Sequence, residues 1–224
     1  ITNLTIMNFY TFFTQSHKSM YEDYFLNSFP HDQFNLIAEE FKQECPTASF
    51  RSEGWNKTMR RKIATILKGL KDNIGDLIVH GDCDIQFFPS NGNIKNELIK
   101  ELGSHEMAFQ DDGYALCAGF FICKCTDRVI SLFEEVNERL EEFLEDQDAM
   151  NKILPSTKIS YKKLSSKFYT LAMDNQWQVY GGQMQYDMNN DRANTVLVHH
   201  ANFTIGIDNK LKLLELVKKS VLGL

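Results

Sequence analysis

The sequence predicts an α/β fold built on a mixed, mostly parallel sheet flanked by helices. Two observations carry the prediction. Apolar strand-like runs alternate with segments of helical period over the first two thirds of the chain. One of those runs, Leu77-Ile78-Val79-His80, ends in the carboxylate pair of Asp82-Cys83-Asp84. The carboxyl end of a strand is where open α/β sheets bind their ligands.

The elements follow in order. Leu4 to Tyr10 reads as a first buried strand, and Ser16 to Phe25 as a helix carrying Met20, Tyr21, Tyr24 and Phe25. Phe34 to Ala38 is a second strand, and Cys45 to Trp55, with Pro46, Ser49, Ser52 and Gly54, is a loop. Asn56 is a suitable cap for the next helix, where Met59, Ile63, Ile66, Leu67 and Leu70 recur at helical spacing. Lys57, Arg60, Arg61 and Lys62 cluster on its first turns, and Asn73 and Gly75 end it before the strand that leads to Asp82.

Ala115 to Cys125 is a strand rich in Phe and Cys. Asp127 is placed to cap a long helix whose buried stripe is Ile130, Phe133, Val136, Leu140 and Phe143. Its acidic face, Glu134, Glu135, Glu138, Glu141 and Glu142, reads as solvated. Pro155 to Tyr186 is polar, aromatic and less regular; Thr195 to His199 is a last short strand and Leu211 to Leu222 a terminal helix. With no repeat, low-complexity stretch or linker, residues 1–224 read as one domain.

Composition narrows the function. The chain has 224 residues and a formal charge of -6, which argues against nucleic acid as the main partner, because phosphate backbones demand a basic footprint. No apolar run is long enough to span a bilayer, and the start lacks the shape of a signal peptide. The expectation is a cytoplasmic protein or a soluble domain of a larger one. The five cysteines, an odd number in a chain of this size, read as reduced and buried.

Asp82 and Asp84 are candidate ligands for a hard cation such as Mn²⁺ or Mg²⁺, which takes oxygen ligands and bridges carboxylates to phosphates. Other residues supply partners. Asp146 opens a short helix that puts Gln147 and Asn151 on one face, four apart. His199 and His200 end a buried strand, and a neutral imidazole can complete a cation's shell. Gly206 and Lys210 follow, a glycine and a cation suited to phosphate. In Gln110-Asp111-Asp112-Gly113, carboxylates and an amide suit sugar hydroxyls, and Gly119 allows close ligand approach. Each motif alone also fits an ordinary turn, cap or loop.

In this order the motifs resemble the nucleotide-diphospho-sugar transferases of the GT-A fold, from about Thr5 to Leu214. The chain is most similar to retaining-type members with an Asp-Gln-x-x-x-Asn motif and a C-terminal His, known from plants, algae, bacteria and large algal viruses. The resemblance implies a Rossmann-like sheet, a UDP-sugar donor, a glycan or other hydroxyl acceptor, and Mn²⁺ or Mg²⁺ as cofactor. It implies a nucleotide-binding part over about residues 1–115 and an acceptor-side part over about 116–224.

It also implies residue roles. Asp82, Asp84 and His200 would hold the metal, with His199 as the fallback, and Asp82 would also touch the ribose. Asn8, Phe9, Tyr10 and Thr11 would cradle the base, and Lys62 or Arg61 would reach the nucleotide. Gly206 and Lys210 would face the phosphates; Asp112 and Gly119 would bind the donor sugar. Asp146 and Gln147 would be catalytic, lining the face where acceptor meets anomeric carbon. Cys117 stands where the family often has Asn, and the spacing from His200 to Gly206 and Lys210 is longer than in some branches.

Two rival readings stand beside this one. A haloacid-dehalogenase-type phosphatase also carries Asp-x-Asp after a strand, but there the motif opens the fold, and Gln86 stands where that family has Thr. A non-catalytic sugar- or protein-binding module would tolerate loss of the paired carboxylates, and Trp55, Trp177 and Tyr180 suit sugar stacking in either reading.

Overall fold

The computed structural model describes residues 6–48, 51–174 and 190–224. The chain runs β1 (Met7–Thr14), α1 (Lys18–Met20), β2 (Phe34–Phe41), α2 (Trp55–Asp72), β3 (Leu77–Gly81), β4 (Ile85–Phe87) and α3 (Ile94–Leu102). It continues through β5 (Met107–Asp111), β6 (Leu116–Lys124), α4 (Asp127–Glu138), α5 (Asp146–Ile153), β7 (Tyr161–Lys163) and β8 (Phe168–Tyr169). It ends with α6 (Asn190–Ala193), β9 (Val198–His200) and α7 (Ile207–Leu222).

A six-stranded sheet has the order β2-β1-β3-β6-β5-β7. β1 is parallel to β2 and β3, and β5 is parallel to β7, while β6 pairs antiparallel with both β3 and β5. The sheet is thus mostly parallel, with β6 reversed. This one reversal positions the site: β1, β3 and β5 end at one edge, and β6 begins there. A second sheet of order β4-β9-β8 stands beside that edge.

Period-two alternation sends successive side chains to opposite faces. Tyr10, Phe109 and Phe121 pack with Ile63 and Ile66 of α2, Phe133 of α4 and Met150 of α5. Phe9 and Phe120 go to the other face, under the Phe25 and Phe29 segment and Ile94 and Leu98 of α3. Phe9 is fully buried, with ring centroids of Phe25, Phe29, Phe34 and Phe87 at 5.3–5.7 Å, each nearly edge-on. Such pairs add about 0.5–1.5 kcal/mol each beyond burial. α7 closes the β4-β9-β8 side with Leu213, Leu214 and Val217.

Several boundaries differ from expectation. β1 runs on to Thr14 because it pairs with β2 in unbroken register from Met7–Phe34 to Thr14–Phe41. The expected helix after it is a mixed segment: a 3-10 turn, α1, then a π-helical stretch Tyr21–Leu26. α2 begins at Trp55, and Gly54 at φ +83° takes the cap position; Asn56 reaches across to Glu141 Oε2 at 3.0 Å instead. Thr126, not Asp127, caps α4, its Oγ1 accepting from Val129 N at 3.4 Å. β5, β7, β8 and α3 have no counterpart in the sequence reading. Among the described residues no helix is long and apolar enough to cross a membrane.

Candidate active site and metal centre

A cleft of about 520 Å³ opens at the edge where β1, β3 and β5 end. Asp82 leaves β3 directly after Gly81 and donates its backbone N–H to Gly119 O at 2.8 Å, which ties the exit of β3 to β6. Asp84 precedes Ile85, which pairs with His200 across the β4–β9 ladder, and Ala201 N donates to Asp84 O at 2.9 Å. Asp84 and His200 are therefore neighbours by register. His200 Nε2 lies 3.1 Å from Asp84 Oδ1 and 4.0 Å from Asp82 Oδ2.

One ligand atom each from Asp82, Asp84 and His200 lie within 4.8 Å of one another. Two carboxylate oxygens and one imidazole nitrogen fit Mn²⁺ or Mg²⁺. Asp82 Oδ1 is buried without a hydrogen-bond partner; His80 Nε2 lies 3.5 Å away. Gly119 forms the floor of the cluster: a Cβ there would stand 2.5 Å from both Asp82 Oδ2 and His200 Cε1. The residues present thus fit the group, with a free oxygen, a packed floor and a suitable donor set.

Two lysines balance these carboxylates. Lys62 Nζ of α2, buried, is 3.1 Å from Asp82 Oδ2 and 3.1 Å from Asp146 Oδ2. Burial opposes its charge, but Asp146 and Asp82 outweigh burial and raise its pKa. Lys210 Nζ of α7 is paired with Asp84 Oδ2 and donates to Ala201 O at 3.1 Å. Burial would raise the Asp84 pKa; Lys210 and His200 overcome it and hold the carboxyl well below its usual range. Asp82 is lowered in the same sense, against burial, by Lys62, His80 and His200.

The Asp-Gln-x-x-x-Asn motif of α5 works largely by grasping β6. Asn151 accepts from Leu116 N at 2.9 Å and donates to Leu116 O at 2.8 Å, as a paired strand would. Gln147 accepts from Ala118 N at 3.0 Å and donates to Asp112 Oδ2 at 3.2 Å. These amides are needed because the β5–β6 ladder loses register here. Phe109 pairs with Phe121, yet Asp111 pairs with Leu116. The excess residues of β6 include Cys117, Ala118 and Gly119, and both Cys117 and Gly119 line the cleft. Asp112 is buried beside them, held also by Asn202 Nδ2 at 2.7 Å, and burial raises its pKa.

The structure brings Lys62, Asp82, Asp84, Asp112, Gly119, Asp146, Gln147, His200, Gly206 and Lys210 to one cleft. It does not bring Asn8, Phe9, Tyr10 or Thr11 there. Phe9 and Thr11 are fully buried, and Tyr10 is buried with its hydroxyl accepting from Asn73 Nδ2 at 2.9 Å. Asn8 is bonded to Asn73 and Asn35. Because β1 is longer than expected, the cleft receives Phe12, Phe13, Thr14 and His17 in their place.

Arg61 turns away to Glu44 and the ring of Phe41. His199, one residue from His200, faces the opposite side, where Gln86 Nε2 and its Nδ1 are 2.9 Å apart. Burial, and then His200, push its pKa down to about 3. Asp146 does not cap α5; its carboxylate is committed to Lys62. Trp55 lines the cleft, whereas Trp177 and Tyr180 lie outside the described residues.

Sequence reasoning passed over the outer rim. Glu145 lines the cleft, 3.4 Å from Arg51, and burial followed by the charge of Asp146 pushes its pKa up to about 7. Tyr114 is 75% exposed, its ring edge-on to Phe203 at 6.2 Å, and Phe203 has φ +55°. Runs of ordinary loop residues gave no signal for these; only the folded contacts do.

No curated protein matches the chain. Among solved structures it is similar to a glycosyltransferase involved in glycosylation of the major capsid of PBCV-1, with TM-score 0.61 and 10% identity over 95% of this chain and 99% of that one. It is similar to the glycosyltransferase GlyE of Streptococcus pneumoniae TIGR4, with TM-score 0.59 and 14% identity over 97% of this chain and 61% of that one. It is also similar to the galactosyltransferase LgtC solved with donor and acceptor sugar analogues, with TM-score 0.54 and 14% identity over 97% and 96%. At such identities the likeness establishes the shared GT-A fold. The family profile described as nucleotide-diphospho-sugar transferase matches residues 31–214, most of the chain. The chain belongs to the nucleotide-diphospho-sugar transferase family and is a glycosyltransferase.

Proposed function

We propose that the protein transfers a sugar from a UDP-sugar to a glycan or other hydroxyl acceptor, with Mn²⁺ or Mg²⁺ and with retention of configuration. The observation that carries this is the convergence of Asp82, Asp84 and His200 in one cleft with Lys62 and Lys210. Asp82, Asp84 and His200 would hold the cation, and the chemistry it would supply is Lewis-acid stabilisation of the diphosphate leaving group. Phe12, Phe13, Thr14 and His17 take the nucleoside side. Gly206, which opens α7 at φ +91°, and Lys210 face the phosphates, where an ammonium stabilises the charge that grows as the sugar–phosphate bond breaks. Asp112 and Gly119 meet the donor sugar.

What Asp146 and Gln147 already do bears on the route by which configuration would be retained. Asp146 is tied to Lys62, and both ends of the Gln147 amide are occupied, so neither is a free nucleophile. Same-face attack, with the leaving phosphate taking the acceptor's proton, fits this arrangement. Asp146 then stabilises positive charge on the sugar, whose transition state resembles an oxocarbenium ion. Residues 1–224 act as one domain. The nucleotide part is taken as about residues 1–115 and the acceptor part as about 116–224, with His200 and Lys210 reaching back to Asp82 and Asp84.

The test is release of UDP from a panel of UDP-sugars with Mn²⁺ and mixed glycan acceptors. Activity that disappears in Asp82→Ala plus Asp84→Ala protein supports the proposal. Retained Mn²⁺-dependent turnover in that variant would sink the metal assignment.

A further inference from the structure

We propose that Gln110 is a positioning residue for the metal centre, holding a proton on His200 Nδ1 so that Nε2 is the nitrogen free to ligate beside Asp82 and Asp84. The inference rests on the metal site proposed above. Gln110 is fully buried on β5, where the ladder to β6 loses register, and its side chain reaches His200, 90 residues away.

The amide has one workable orientation. Gln110 Nε2 donates to Tyr169 O at 3.2 Å. Turned over, its carbonyl oxygen would face that backbone carbonyl, two acceptors with no proton between them. Gln110 Oε1 therefore stands 2.9 Å from His200 Nδ1. An amide oxygen can only accept, so Nδ1 carries the proton. With Nδ1 held protonated, Nε2 is the nitrogen that can give up its proton and ligate; it lies 3.1 Å from Asp84 Oδ1, to which it donates until a cation takes that place. The thiol of Cys117 is also 3.6 Å from Nδ1, but its sulfur already accepts from Gly119 N at 3.3 Å. Ligating imidazoles are commonly held through the other nitrogen, and losing that support weakens metal binding about 10–100-fold.

The experiment is Mn²⁺ titration followed by electron paramagnetic resonance, with thermal unfolding of the same samples, for wild type, Gln110→Glu, Gln110→Leu and Gln110→Met. Glu keeps an acceptor for Nδ1–H and, with its other oxygen protonated, a donor for Tyr169 O, whereas Leu and Met remove both. Structural damage alone orders the variants the other way, because a buried carboxylate is harder to accommodate than an apolar side chain. The expected result is near-wild-type Mn²⁺ affinity for Gln110→Glu and a loss of about 10–100-fold for Gln110→Leu and Gln110→Met. Affinities that merely track the melting temperatures, or that are unchanged in Leu and Met, overturn the proposal. Wild-type protein that binds no Mn²⁺ instead overturns the metal site itself, and the proposal with it.

Discussion

Gly119→Ala is the smallest change that should disable the centre. Its Cβ would stand 2.5 Å from Asp82 Oδ2 and 2.5 Å from His200 Cε1, where ordinary contact begins at 3.4 Å. Both side chains must retreat by about 1 Å, five times the ~0.2 Å tolerance of a ligand distance. The backbones cannot share the strain. Asp82 N is bonded to Gly119 O at 2.8 Å, and Gly81 is in register with Phe120. If each displaced ligand costs at least the ~10–100-fold of a lost outer support, two together cost about 10²–10⁴-fold, or about 3–5 kcal/mol of binding. Folding itself should lose about 1–3 kcal/mol, as for overpacking elsewhere. The assay is calorimetric titration of Mn²⁺, with a thermal melt to show that the variant is folded. A folded Gly119→Ala protein that binds Mn²⁺ within threefold of wild type would refute the packing argument.

Further outcomes follow from the same contacts. Lys62→Met leaves the buried Asp146 and the half-buried Asp82 carboxylates without their shared cation, and urea unfolding should show a loss of about 3–5 kcal/mol. An unchanged midpoint would mean that the pair is solvated. Glu145 has its pKa raised from 4.5 to about 7, so the folded protein holds a proton that the unfolded chain has released. Stability should therefore fall as pH rises from about 4.5 to 7 and level off above, by at most ~3 kcal/mol. Glu145→Gln should flatten that slope and be the more stable protein at pH 8; an unaltered slope would contradict it. Asn151→Leu strands the N–H and C=O of Leu116, so it should cost about 1–3 kcal/mol. Amide hydrogen exchange at Leu116 should quicken, and unchanged protection there would count against the strand-like role.

Much of the cleft was legible in the chain because its chemistry is carried by element ends. Asp82 and Asp84 follow an apolar run, Asp146 opens a helix, and His200 closes a strand. Gly119 stood out as a missing side chain in a strand of bulky ones, though what it admits is the metal ligands themselves. The cleft end of β1 was misplaced because Thr11, Phe12 and Phe13 continue the apolar run, and only pairing with β2 shows where the strand stops. Local caps misled similarly: Asn56 and Asp127 have the right chemistry, but Gly54 and Thr126 have the right backbone position. The choice between His199 and His200 depended on which face of β9 is inward. The reach of Gln110 to His200 depends on a break in a ladder, which no local pattern announces.

The most direct test of metal-dependent nucleotide binding is calorimetric titration of UDP into the protein with Mn²⁺, then with EDTA, and into Asp84→Ala. UDP binding should require Mn²⁺ and disappear in Asp84→Ala. UDP binding of equal strength with EDTA, or undiminished in Asp84→Ala, would contradict it.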